Sequence, residues 1–365
     1  MAKRKQYDMK TPGTRELVDE IVHGTFVKEG TLLAFPTCFP GSSAPIRADE
    51  SRITALDATF DGGVYGGTSG RATHLFVGMF HGVTGAVLDL GTVEGGTHCP
   101  AVCCGEKNFV AGVNGEKGGR LVGRNPQPLP FDLIQEWGFD RKPFDEMGAI
   151  GGGEPIVHMA ADPQRKFAVG ASSGHLFVVD LEEKEVETVG ELGGCGQIGV
   201  DAEGRFLGMD EGDALWAFDR GTGKLERKSI QLPSATWDGV ELRWARDPGD
   251  GTLYTADGGG RMFSYRPDSG WSDSLGQAPL APVGPLAVTF DGRLFGFCGE
   301  EMARLFTLDE EGVRQLGGAA SVFERRRYGY SFGAAVVGRD GEIIFGEEDE
   351  LGHLWLYFPK IAPRQ

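Results

Sequence analysis

Seven times along this 365-residue chain an apolar run breaks at a turn rich in glycine or acid and resumes on an apolar–aromatic pair. "GGVYGGTSGRATHLF", "RKFAVGASSGHLF" and "GRLFGFCGEEMARLF" are three of the seven stretches. The pairs are Leu75–Phe76, Leu121–Val122, Leu176–Phe177, Leu215–Trp216, Met262–Phe263, Leu305–Phe306 and Leu354–Trp355, and neighbours stand 39 to 55 residues apart. One four-stranded propeller blade occupies that interval, so the pattern predicts an all-β, seven-bladed β-propeller.

Within each repeat the order of strands is legible. An apolar strand a precedes a step such as Asp61–Gly62, Glu203–Gly204, Asp250–Gly251, Asp291–Gly292 or Asp340–Gly341, which tolerates the positive φ of a tight hairpin. Strand b follows, then the Gly-rich turn, strand c on the apolar pair, and a strand d such as "AVLDLG". The last repeat stops soon after its strand c, at "HLWLYFPKIAPRQ". "GTLLAFP" at 30–36 is expected to supply the missing strand and close the ring, leaving no exposed edge. The whole of 1–365 is therefore read as one domain, with 1–49 as arm and closing strand. Residues 125–155 form a long insertion between blades, and such inserts often cover a binding face.

A net charge of −17 disfavours nucleic acid and anionic membranes as partners. No run of 18 apolar residues is present, and the basic start lacks an apolar leader core. The six cysteines have no framework spacing. These features are expected of a cytoplasmic chain with free thiols. His98 with Cys99, Cys103 and Cys104 lacks the second pair that a zinc site needs. His158, mid-strand, is expected to be a satisfied core histidine. The 59 glycines are expected mainly in turns.

Strands alternate in direction, so the loops leading into strands a meet the b–c turns at one end of the channel. Residues at those positions include Arg52, His98, Glu154, Trp237, Asp238, Arg327, Tyr328 and Tyr330. The residue opening strand c is a base in six of seven repeats: His74, Arg120, His175, Arg261, Arg304 and His353, with Ala214 the exception. A ring of bases at one face would attract an anion.

The units "VYGGTSG" and "FAVGASSGHLFVVD", with the ending "YGYSFGAAVVGRDGEIIFGEEDELGHLWLYFP", resemble bacterial seven-bladed propellers of carbohydrate breakdown, among them oligogalacturonate lyases and propeller-type ulvan lyases. The resemblance covers residues ~50–360 at the level of repeat architecture. It implies eliminative cleavage of a uronic-acid oligosaccharide, with His, Tyr and Arg on the channel face. The Gln-x-x-His-x-His metal string of oligogalacturonate lyases does not occur here.

Elimination needs a cation on the uronate carboxylate, a base for the C5 proton and an acid for the departing oxygen. Arg327 and Arg52 suit the first task, His98 the second, and Tyr328 or Tyr330 the third. His74, His175 and His353 are reserves, Glu154, Asp238 and Arg261 further substrate contacts, and Trp237 a surface for a sugar ring. Two alternatives stand beside this reading. One is a non-catalytic propeller binding a sugar or a protein. The other is a hydrolase or lactonase using a divalent metal ion on Glu154, Asp238 and the channel histidines. The cofactor and the oligomeric state are left open.

Overall fold

The glycines inside strands b explain the packing of each repeat. A Cβ on Gly66 would stand 2.2 Å from the Phe76 ring, on Gly170 2.3 Å from Phe177, and on Gly208 2.4 Å from Trp216. In each case the glycine is the cross-strand partner of that aromatic. The aromatic of strand c thus lies flat over strand b, a contact that any side chain at the glycine would block. Much of the glycine content serves this seat as well as the turns.

The computed structural model describes residues 26–36, 46–82, 84–106, 109–124, 144–192, 196–234, 236–237, 239–300, 302–321, 328–350 and 352–360. They form seven antiparallel sheets, six of them from consecutive strands. Blade 1 is Arg52–Ala58, Gly63–Ser69, Thr73–His81 and Thr84–Val93, its strands a to d in order. Strands a of blades 2 to 7 begin at Gly96, Ile156, Gly199, Ala245, Val283 and Phe332. Strand d of blade 5 is split into Gly270–Trp271 and Gly276–Gln277. The acid–glycine steps turn as expected: Gly62, Gly204, Gly251, Gly292 and Gly341 all have φ between +78° and +97°.

Blade 7 is completed by Thr31–Pro36, which runs antiparallel to His353–Phe358 with Leu33 opposite Leu356. The chain just before it also grips blade 6, where the Lys28 N–H donates to the Leu316 carbonyl (2.8 Å). The ring is closed by the N-terminal strand. The core consists of seven layers, each between adjacent blades, such as Leu75 and Val77 of blade 1 against Val102 and Phe109 of blade 2. Residues 125–155, expected as one insertion, contain strand d of blade 2 at Asp145–Gly148, and 125–143 lie outside the described residues. No described helix is long and apolar enough to cross a membrane.

Candidate active site

Strands a run from the mouth of the channel toward the acid–glycine turns, so their first residues ring the mouth. Arg52 opens strand a of blade 1. It is exposed, and no ion pair or side-chain hydrogen bond to a described residue holds its guanidinium. His98 is the third residue of strand a of blade 2, and its surroundings define its protonation.

His98 Nδ1 lies 2.8 Å from Ser69 Oγ. Ser69 Oγ lies 2.7 Å from Thr54 Oγ1 and accepts from the Cys99 N–H at 3.1 Å. Thr54 Oγ1 lies 2.7 Å from the Cys99 carbonyl, which can only accept. The Thr54 proton therefore goes to that carbonyl, and the Ser69 proton goes to Thr54. Ser69 has no proton left for His98, so His98 Nδ1 must carry the hydrogen and donate to Ser69. The other nitrogen, Nε2, keeps its lone pair. The ring is reached by solvent, yet burial in the mouth and the nearby Arg52 charge hold its pKa below the ordinary value, with Glu241 opposing. His98 is thus an oriented, neutral base at neutral pH.

The facing wall comes from blades 5 to 7. Arg243 precedes strand a of blade 5 and reaches the Gly333 carbonyl of blade 7 (2.8 Å) and Glu241 (3.0 Å). Glu348, at the end of strand b in blade 7, anchors by its N–H to the Ser331 carbonyl (2.9 Å). Burial raises its carboxyl pKa, which Arg243 and Arg52 lower and Glu241 raises. A cavity of ≈ 490 Å³ opens here, lined among others by Glu241, Arg243, Glu300, Phe332 and Glu348. That volume is within the range of small-molecule sites. Deeper in the channel, His158 Nδ1 accepts from the Ile198 N–H (3.1 Å), and burial with the Arg243 charge lowers its pKa to about 4. The channel widens again toward the acid–glycine turns into a space of ≈ 630 Å³.

The bases that open strands c are held differently from the expected ring. His74 is buried between Glu50 (3.1 Å) and Asp89 (3.2 Å). His175 is 3.0 Å from Glu154, and a hydrogen bond from Ser172 with that of His175 lowers the Glu154 pKa. Arg261 pairs with Asp257 at 2.9 Å, His353 lies 3.4 Å from Glu347, and Arg120 lies 3.8 Å from Glu146. Each of these five bases has an acid within 4 Å, although Arg120 Nε and Nη1 are buried with no hydrogen-bond partner among the described residues. None of His74, Glu154, His175, Arg261 and His353 lines the mouth cavity.

Trp237 is 3% exposed. It packs 5.9 Å from Phe263 and donates to the Pro233 carbonyl (2.8 Å), so its faces are in the core. Tyr328 bridges Ala320 and Tyr330 is 46% exposed; neither hydroxyl is bonded to His98. Arg327 and Asp238 lie outside the described residues. The structure places Arg52 near His98, which Ser69 and Thr54 hold, and sets Glu241, Arg243 and Glu348 around the neighbouring cavity, whose lining includes neither Arg52 nor His98. Arg243 carried a signal, since it sits two residues before a strand a, close to the place that Arg52 takes as the first residue of another. Placing the start of that strand after Trp237–Asp238 hid it, because strand a of blade 5 begins at Ala245. Among the described residues, no group of three or more His, Cys, Asp or Glu is placed to hold a metal ion.

No family model matches this sequence, and no curated protein is similar to it. Solved structures are. A streptogramin B lyase superposes with a TM-score of 0.65 at 10% identity, over 91% of this chain and 98% of that one. An inactive virginiamycin B lyase from Staphylococcus aureus with quinupristin gives 0.62 at 7% identity, over 91% of this chain and 100% of that one. The extracellular domain of a putative one-component system from B. thetaiotaomicron gives 0.59 at 11% identity, over 90% of this chain and 40% of that chain. At such identities the likeness establishes a shared fold, the seven-bladed propeller.

Proposed function

We propose that the channel mouth is the active site of a lyase acting on a substrate with a carboxylate beside an acidic C–H. The observation that carries this reading is the proton accounting at His98, which leaves Nε2 unprotonated on an exposed ring near Arg52, whose guanidinium no described residue pairs. Arg52 would bind the carboxylate and stabilise the charge that grows on it as the proton leaves. His98 would take the proton, a task that suits an imidazole kept neutral at pH 7. A uronic-acid oligosaccharide meets these requirements, and Tyr328 or Tyr330 is the sequence-based choice for the acid. A second substrate class is a streptogramin, on the ground that solved propellers of this shape are described as streptogramin B and virginiamycin B lyases.

The test is a panel of uronate oligomers and streptogramins, followed by absorbance of the unsaturated product and by mass. Turnover of one class, with loss of about 100-fold or more in H98A, is the expected result. A panel that stays inert, or an H98A variant as active as the parent, ends the lyase reading.

A further inference from the structure

We infer that Glu348, rather than either tyrosine, delivers the proton to the leaving group in the channel mouth. The inference rests on the lyase reading and assigns the half of the reaction that His98 leaves open.

Three observations place Glu348. First, it lines the mouth cavity and no described side chain pairs with its carboxyl, whereas most mouth-end carboxylates, such as Glu50, Glu154, Asp257 and Glu347, are tied to a base. Second, the fold makes room for it: a Cβ on Gly333 would stand 2.9 Å from Glu348 Oε2, and the Gly333 carbonyl is taken by Arg243. Arg243 donates to that carbonyl and to Glu241 and forms no ion pair with Glu348. Third, the same Gly333 Cβ would stand 2.8 Å from the Ile53 carbonyl oxygen, which sets Glu348 beside strand a of blade 1 next to Arg52, and Arg52 and Glu241 are electrostatic neighbours of both His98 and Glu348. Burial opposes ionisation of Glu348, while His98 is kept unprotonated. Environments that push two titratable groups apart in this way mark an acid and a base.

The step balances. His98 Nε2 takes the C5 proton of a uronate, and the C–H electrons form the C4–C5 double bond. The C4–O bond breaks, and its oxygen takes the Glu348 proton. Solvent then returns a proton to Glu348 and removes one from the imidazolium, with no oxidant, reductant or further reactant.

Two measurements test it. The first needs no substrate: infrared difference spectra of the parent against E348Q across a pH series. A protonated carboxyl band that persists above pH 5 and is absent in E348Q supports the proposal, and titration at or below the ordinary glutamate value overturns it. The second uses the substrate class found active and a uronate bearing 4-nitrophenoxide at C4, which departs without a proton. E348Q is expected to lose about 100-fold or more in kcat on the natural leaving group with KM little changed. It should keep near-parent rates on the nitrophenoxide, where H98A stays inactive. Equal loss on both, or full activity of E348Q with loss in Y328F or Y330F, overturns the assignment while leaving the lyase reading intact. An inert panel with a positive infrared result would end the lyase reading and Glu348's role with it, leaving only a carboxyl whose ionisation burial opposes.

Discussion

At the scale of single residues, His98 is governed by its neighbours' protons and charges. Its pKa is depressed by burial and by Arg52 and lifted by Glu241. Protonation would silence the base, so the acidic limb of kcat/KM is expected below 6.5, the ordinary histidine value. Removing the cation in R52A should move that limb to higher pH, and removing the anion in E241Q should move it lower. A pH–rate profile of the three proteins decides this, and limbs that coincide would mean that another group is the base. Ser69 has an indirect role: S69A removes the acceptor that fixes the tautomer, so kcat should fall while KM holds. Arg52 and His98 were legible in the sequence because each stands at or near the start of an apolar strand a. Glu348 was not, because a glutamate in the acid-rich turn "GEEDELGH" looks no different from its neighbours until the fold separates the paired Glu347 from Glu348. Trp237 misled for a related reason: an indole near a channel is either a platform or core, and only packing against Phe263 tells which.

At the scale of elements, the repeat was legible because its signal is local. A strand-b glycine and the strand-c aromatic that covers it lie within about ten residues and recur from blade to blade. G208A places a methyl 2.4 Å from the Trp216 ring and should destabilise by about 1–3 kcal/mol through overpacking. G190A, in a strand d with nothing within 4 Å of the new Cβ, should stay within about 0.5 kcal/mol. Thermal melts of the two variants check the contrast, and equal shifts would refute the seating argument. The closing strand was legible from what the last repeat lacks. It adds Leu32, fully buried, to the core between blades 6 and 7. L32A should cost about 2–5 kcal/mol and speed amide exchange in His353–Phe358, which pairs with it, ahead of blades 3 and 4. The expected ring of bases failed at this scale because acids from several parts of the repeat reach them: Glu50 and Glu154 precede strands a, Asp257 and Glu347 lie at the ends of strands b, and Asp89 and Glu146 lie in strands d. The repeat supplies the partner along with the base.

At the scale of the whole molecule, the ring gathers residues from distant parts of the chain, which is why the site was less legible than the fold. Arg52 and His98 lie in strands a of blades 1 and 2, Arg243 in the loop before strand a of blade 5, and Glu348 just after strand b of blade 7. The same convergence gives the molecule a pH dependence that can be worked out. His158 is neutral in the folded state with a pKa of about 4, and its Nδ1 must stay unprotonated to accept from Ile198. Above pH 6.5 both folded and unfolded chains hold it neutral, so it contributes no slope. As pH falls from 6.5 toward 4 the unfolded chain takes up a proton that the folded chain refuses, and stability drops by about 1.4 kcal/mol per pH unit, about 3 kcal/mol at most. H158N keeps an acceptor for the Ile198 N–H and cannot be protonated, so it should gain on the parent over that window. His74 has the opposite sign. Burial works to lower its pKa, but Asp89 and Glu50 outweigh burial and raise it. Its contribution is fully present below pH 6.5 and fades as pH rises through the raised value. The parent's advantage over H74N should therefore be greatest in mild acid and shrink in mild alkali. Urea midpoints at pH 4.5, 6 and 9 for the parent, H158N and H74N test both signs at once. Because each comparison is a difference from the parent, carboxylates that do not touch the replaced histidine cancel, and parallel curves would show that neither histidine feels the environment described for it.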